Sequence, residues 1–204
     1  MQRTLWPWMI PLLLVVMLLV MTQINRDIYW YDEEQSLFIV GGGEYDPVDV
    51  GTFFARVADN ARQPLYPVLL LAHGNLLGWS EFSTRVLSTF FGLIALALTY
   101  RLGADLKSPR LGLIAATLLG TSAFTLHYWH DVRDYTLYVL LTALSGWLYW
   151  RFQQQRWRAS RGEKTAFVLA LTGLFYVHYV APVTYAALGA YHVLFAKRNA
   201  RWNG

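Results

Sequence analysis

The chain reads as an all-α, polytopic membrane protein with about six transmembrane helices, a re-entrant or interfacial helix and an outer first loop; three observations point there. Of its 204 residues, 55% are hydrophobic and only 15% charged, against roughly 25% charged in a soluble domain, and the mean hydropathy is +0.30. Apolar runs of membrane-crossing length recur along the sequence. Basic residues gather in alternate connections, which is the positive-inside pattern. The formal net charge of +4 is therefore a topology signal, and no nucleic-acid partner is expected. Cysteine is absent, which excludes disulfides, thiolate metal sites and a cysteine nucleophile.

Residues 5–24 match the length of about 20 residues that a helix needs to cross the hydrocarbon core. Arg3 precedes this run and no small-x-small pattern follows it at Met21-Thr22-Gln23-Ile24, so a retained signal anchor is expected. Residues 25–62 are polar and net acidic, with Gly41-Gly42-Gly43 as a flexible break and an amphipathic helix from Pro47 through Phe53, Phe54 and Val57. The triple glycine is no phosphate loop, because neither a preceding strand nor a following Gly-Lys-Ser/Thr accompanies it. Residues 64–78 form an apolar run too short to span, expected to lie in the interface or dip back out.

Residues 82–102 span, opened by Ser80-Glu81 as a helix start and closed by Arg101, Lys107 and Arg110. Pro109 starts the next span, which runs to His127. A polar island follows at residues 127–135, and another span reaches Trp150. Residues 151–164 make the most basic loop. The apolar region 165–195 is too long for one ordinary crossing and is expected to split into two helices near His178-Tyr179 and Pro182.

With Arg3 cytoplasmic, six crossings place the basic segments around 101–110, 151–164 and 196–204 on the cytoplasmic side with both termini. The acidic loop, the island and His178 then face outside, and a full span at 64–78 would break this agreement. Residues 1–204 form a single membrane domain, divided into an outer loop with juxtamembrane helices at 25–81 and a transmembrane bundle at 82–204.

Three polar clusters thus share one face: Tyr29-Trp30-Tyr31-Asp32-Glu33-Glu34, the island His127-Tyr128-Trp129-His130-Asp131-Val132-Arg133-Asp134-Tyr135, and His178-Tyr179. Ionisable residues at membrane helix ends are functional candidates; a solvated acidic loop is the alternative for residues 32–34. On a helix His127, His130, Asp131 and Asp134 would form one stripe at i, i+3, i+4 and i+7, a spacing at which histidine and carboxylate can share a divalent metal. The same spacing also suits a polar cap where the helix leaves the membrane. Arg133 points away from that stripe and suits a phosphate with its planar fork; a snorkelling surface arginine is the alternative.

The chain resembles the membrane-embedded glycosyltransferases that use polyprenyl-phosphate sugars, the GT-C superfamily containing protein O-mannosyltransferases and the lipid A aminoarabinose transferase. Four stretches carry the likeness. Asp32-Glu33 matches the Asp-Glu pair of the first outer loop. Gln63-Pro64-Leu65-Tyr66-Pro67 followed by Ser80-Glu81-Phe82-Ser83-Thr84-Arg85 is similar to a "Pro-Leu-Tyr... Ser-Glu-Phe-x-x-Arg" stretch. Asp131-Val132-Arg133-Asp134-Tyr135 is similar to an acid-x-Arg-x-Tyr motif, and His178-Tyr179 to a His-Tyr on a later helix.

The resemblance implies a site facing the periplasm or outside, in the cell envelope, where a sugar passes from a polyprenyl-phosphate donor to an acceptor hydroxyl with inversion. Asp32 would be the general base, its pKa raised by the aromatic rings that shield it. Glu33 and Asp131 would orient the acceptor or a divalent ion. Arg133 and Arg85 would stabilise the departing lipid phosphate, and Tyr135 and His178 would contact the donor. Family members usually continue with further helices and often an outer soluble domain, so the likeness covers their N-terminal half. That implies either an additional membrane subunit or a noncatalytic relative whose aromatic residues, such as Trp6, Trp8, Trp147 and Trp150, pack into a larger complex. A transporter would place acids in mid-helix, which the spans lack.

Overall fold

The computed structural model describes residues 5–24, 28–155 and 158–195. Arg3, residues 25–27 of the acidic stretch, residues 156–157 of the basic loop and the segment 196–204, which entered the charge pattern, lie outside the described residues. Every regular element among the described residues is helical, in agreement with the all-α part of the expected fold class.

A 3-10 turn at Trp6–Trp8 leads into α1 (Met9–Met21). The acidic stretch forms a helix, α2 (Tyr31–Val40), with Asp32, Glu33 and Glu34 in its first turn, where the positive end of the helix dipole favours carboxylates. Gly41 ends α2 in the left-handed conformation at φ 63°, the C-terminal position that glycine fills without a Cβ clash. The amphipathic helix expected after Pro47 is α3 (Val50–Asp59), capped by Asp49 accepting from Thr52 N–H. The short apolar run is α4 (Leu65–Leu77), whose 13 residues rise only about 20 Å.

The bundle is built around α5 (Glu81–Leu106), with Ser80 as its N-cap. Its 26 residues extend about 39 Å, more than a hydrocarbon core is thick; among the described residues α5 is the helix both long and apolar enough to cross a membrane. α4 runs antiparallel to its first half, tied by Tyr66 Oη to Ser88 Oγ at 2.8 Å and by His73 Nε2 to the Ser83 carbonyl at 2.9 Å. α6 (Pro109–Gly120) crosses α5 where Gly103 faces Gly112 closely enough that a Cβ on either would meet the other helix's backbone.

The expected continuous span 109–127 is interrupted. Ser122 caps a new helix, α7 (Ala123–Tyr128), by accepting from Thr125 N–H at 3.2 Å, so the apolar stretch is two short helices. α8 (Tyr135–Gln154) lies along α5, and α9 (Arg161–Val177) and α10 (Ala181–Phe195) complete the bundle. The division of the last apolar region at His178 is as expected, because His178 adopts an extended conformation that ends α9.

Helix directions alternate so that two ends are distinct. At one end Trp6 stacks on Tyr100, and the Trp147 and Trp150 indole N–H groups donate to Asp105. At the other end lie the first turn of α2, the segment 129–134 and His178. Those are the three polar clusters expected to share a face.

Candidate active site

Glu33 is the centre of this end of the molecule. It is 1% exposed, and its carboxylate is saturated: Arg85 Nε donates to Oε1 and Arg85 Nη2 to Oε2, both at 2.9 Å. The Val132 backbone N–H donates to Oε1 at 3.0 Å and the Trp30 N–H to Oε2 at 3.3 Å. Arg85, 2% exposed, also donates to the Ile24 carbonyl at 2.7 Å and lies under the Tyr29 ring at 4.9 Å. One buried, bidentate ion pair therefore ties the chain just after α1, α2, α5 and the 129–134 segment together, and bidentate geometry makes it directional as well as strong.

That segment is not helical, which corrects the expected stripe of His127, His130, Asp131 and Asp134. α7 ends at Tyr128 and α8 begins at Tyr135. The Val132 N–H that would close a helical turn is turned onto Glu33, while the Thr89 and Ser88 hydroxyls of α5 donate to the Trp129 and Arg133 carbonyls at 3.0 and 3.2 Å. His127, His130 and Asp131 consequently line one cavity, while Asp134 faces Arg62, Tyr66 and Arg133. Among the described residues no three histidine or carboxylate side chains are placed together as a metal site.

Asp32 and Glu33 are neighbours on α2, about 100° apart around the helix, and they face different groups. Asp32 Oδ2 is 3.1 Å from Arg133 Nη1 and its Oδ1 is 3.7 Å from Arg62 Nη2. The Asp32 side chain keeps 26% of its surface exposed, whereas the Arg133 side chain keeps 7%. Arg133 also reaches Tyr135 Oη at 3.4 Å and lies over that ring, and Tyr135 stacks against His178 at 5.9 Å between ring centroids. Asp134 lies beside Arg133 and His178; burial pushes its carboxyl above the usual range, against the pull of those two groups.

Asp32, Arg133, Tyr135 and His178 are thus brought together as expected from sequence. The surroundings of Asp32 differ from the expectation: two guanidiniums, rather than a shell of aromatic rings, face its carboxylate. Glu33 and Arg85 do not face a substrate site freely, since each satisfies the other. Arg62 joins the cluster without having been anticipated, brought in by the chain reversal at Ala61, whose φ of 51° is the one positive value at a non-glycine among the described residues. Its position just before Gln63-Pro64 was the available signal, since Pro64 sits at the start of α4.

Asp131 is on the other side of the Glu33–Arg85 pair, in a cavity of about 890 Å³. It is 5% exposed, and burial first, then the Glu33 charge, raise its carboxyl to about 6. Trp30, one of the aromatic residues just before Asp32, lines this cavity. No protein-family model matches the chain, and neither curated proteins nor solved structures include a match to it.

Proposed function

We propose that this chain is a polytopic membrane glycosyltransferase that moves a sugar from a polyprenyl-phosphate donor to an acceptor hydroxyl on the outer face of the membrane. The observation that carries the reading is the Asp32–Arg133 contact at 3.1 Å: residues far apart in sequence bring a partly exposed carboxylate and a phosphate-suited guanidinium to one point. Support for the membrane setting comes from α5, from exposed Leu14, Val15 and Leu18 along α1, and from exposed Val193, Leu194 and Phe195 on α10.

In the resting state the carboxylate and guanidinium neutralise each other. A donor phosphate competes for Arg133 and Arg62, since guanidiniums bind phosphate in the same forked manner as carboxylate, and this frees Asp32. Asp32 then takes the acceptor hydroxyl proton while that oxygen attacks the anomeric carbon. The bond from that carbon to the phosphate oxygen breaks, its electron pair leaves on the lipid phosphate, and Arg133 with Arg62 stabilises the charge. Tyr135 and His178 flank the donor. Glu33 and Arg85 act as positioning residues, fixing α2 against the 129–134 segment. A divalent ion is not needed for these steps and remains compatible with them.

The second reading, a noncatalytic subunit of a larger membrane complex, draws on one observation: both arginines are already closed on carboxylates. Sugar transfer from a labelled polyprenyl-phosphate donor pool in membranes carrying the chain separates the two. The glycosyltransferase reading expects turnover that Asp32→Asn and Arg133→Ala each remove at equal protein level; turnover indifferent to both would sink it.

A further inference from the structure

The cavity beside Asp131 contains a group whose chemistry is incomplete. The Asp131 carboxylate, nineteen-twentieths buried, accepts no hydrogen bond among the described residues, and the His130 ring Nε2 lies 3.6 Å from its Oδ1. A buried carboxylate without a donor is costly, so a ligand that supplies N–H or O–H groups gains what the described residues leave open. Arg85 lines the same cavity but directs Nε and Nη2 at Glu33 and Nη1 at the Ile24 carbonyl. Anions are disfavoured by Asp131 itself.

The rest of the cavity defines the ligand's shape. Trp30 also lines the cavity, and an indole ring is a favourable neighbour for a cation. Leu19 of α1 and Leu126 of α7 form an apolar end, and exposed Leu18, Val15 and Leu14 continue that surface down α1. A hydroxyl would satisfy a hydrogen bond but leave the charge uncompensated; a quaternary ammonium would do the reverse. A primary ammonium does both.

We propose that this cavity binds an amphiphile with a primary-ammonium head, its N–H groups on the Asp131 carboxylate and its chain between Leu19 and Leu126. The site is distinct from the Asp32–Arg133 cluster and does not depend on glycosyl transfer.

The test uses the full chain in phosphatidylcholine nanodiscs at neutral pH, with dodecylphosphoethanolamine, dodecylphosphocholine and chainless O-phosphoethanolamine as probes. A charge-assisted hydrogen bond predicts that the ethanolamine amphiphile binds about tenfold or more tightly than the choline one. Asp131→Asn, nearly equal in volume, removes that preference. Leu126→Trp, which fills the apolar end and leaves Asp131 intact, weakens the ethanolamine amphiphile while helical circular dichroism is unchanged. Equal binding of the two amphiphiles, or a preference that survives Asp131→Asn, overturns the ammonium assignment. Chainless O-phosphoethanolamine binding as tightly as the amphiphile overturns the assignment of a lipid-like ligand.

Discussion

Glu33→Ala is expected to be among the most damaging single substitutions in the chain. It removes the bidentate carboxylate from a pair in which Glu33 is 1% and Arg85 2% exposed, leaving the buried guanidinium with the half-exposed Glu81 carboxylate at 3.7 Å as the longer, one-sided contact. Breaking a buried pair from one side costs about 3–5 kcal/mol. The Val132 N–H, which donates to Glu33 at 3.0 Å, is orphaned as well, adding about 1 kcal/mol or more. The two losses share one site and do not simply add, so about 5 kcal/mol is expected, comparable with the whole stability of a small domain. The double variant Glu33→Leu with Arg85→Met removes both charges and should lose less than Glu33→Ala alone, because no unpaired charge remains. Reversible unfolding in mixed micelles, followed by circular dichroism, measures both. A Glu33→Ala loss below about 1 kcal/mol, inside the range of an exposed ion pair, or a double variant worse than either single, would refute the keystone role.

Other expectations follow from separate features. The Asp131 carboxyl is raised from 3.8 to about 6, so between those values the folded protein holds more protons than the unfolded chain, and this group's contribution makes stability fall as pH rises from about 4 to about 6. Asp131→Asn should abolish that slope in a pH series of unfolding curves, and an unchanged slope would contradict the assignment. Gly92→Ala places a Cβ 2.6 Å from the Trp129 ring, an overpacking expected to cost about 1–3 kcal/mol; a neutral effect would mean that the α5 contact with Trp129 is loose. Since the chain has no cysteine, single-cysteine labelling reports sidedness cleanly: Glu44→Cys should react with an impermeant maleimide in intact cells, and Gly162→Cys only after permeabilisation. Reaction of both from outside would contradict the six-crossing topology.

Much of this end of the molecule was legible in the sequence because charge beside long apolar stretches is conspicuous. Asp32, Glu33, Arg133, Tyr135 and His178 lie in the three polar clusters the sequence displays, Arg85 entered only through the glycosyltransferase resemblance, and the alternation of basic and acidic connections anticipated which helix ends lie together. Side-chain direction was not legible. Asp32 and Glu33 diverge around α2, so one faces Arg133 and the other Arg85, and nothing in the pair's spelling says which. The helical stripe through His127 and Asp134 failed for a tertiary reason: Glu33 captures the Val132 N–H, and α5 hydroxyls hold the carbonyls, which outweighs local helical periodicity. The break at Ser122 was missed because Thr121-Ser122 interrupts an apolar run without a proline or charge to mark it. Arg62 enters through a left-handed Ala61, a conformation that alanine does not advertise.

The most direct measurement of the transfer reading is single-turnover sugar transfer by the purified chain in proteoliposomes loaded with a polyprenyl-phosphate sugar, with donor binding followed in parallel. The expected result is transfer by the native chain, and in Asp32→Asn a donor that still binds but does not react, because the base is lost while Arg133 and Arg62 still hold the phosphate. Transfer that proceeds unchanged in Asp32→Asn, or a donor that binds the native chain and never reacts with any acceptor hydroxyl supplied, would contradict it.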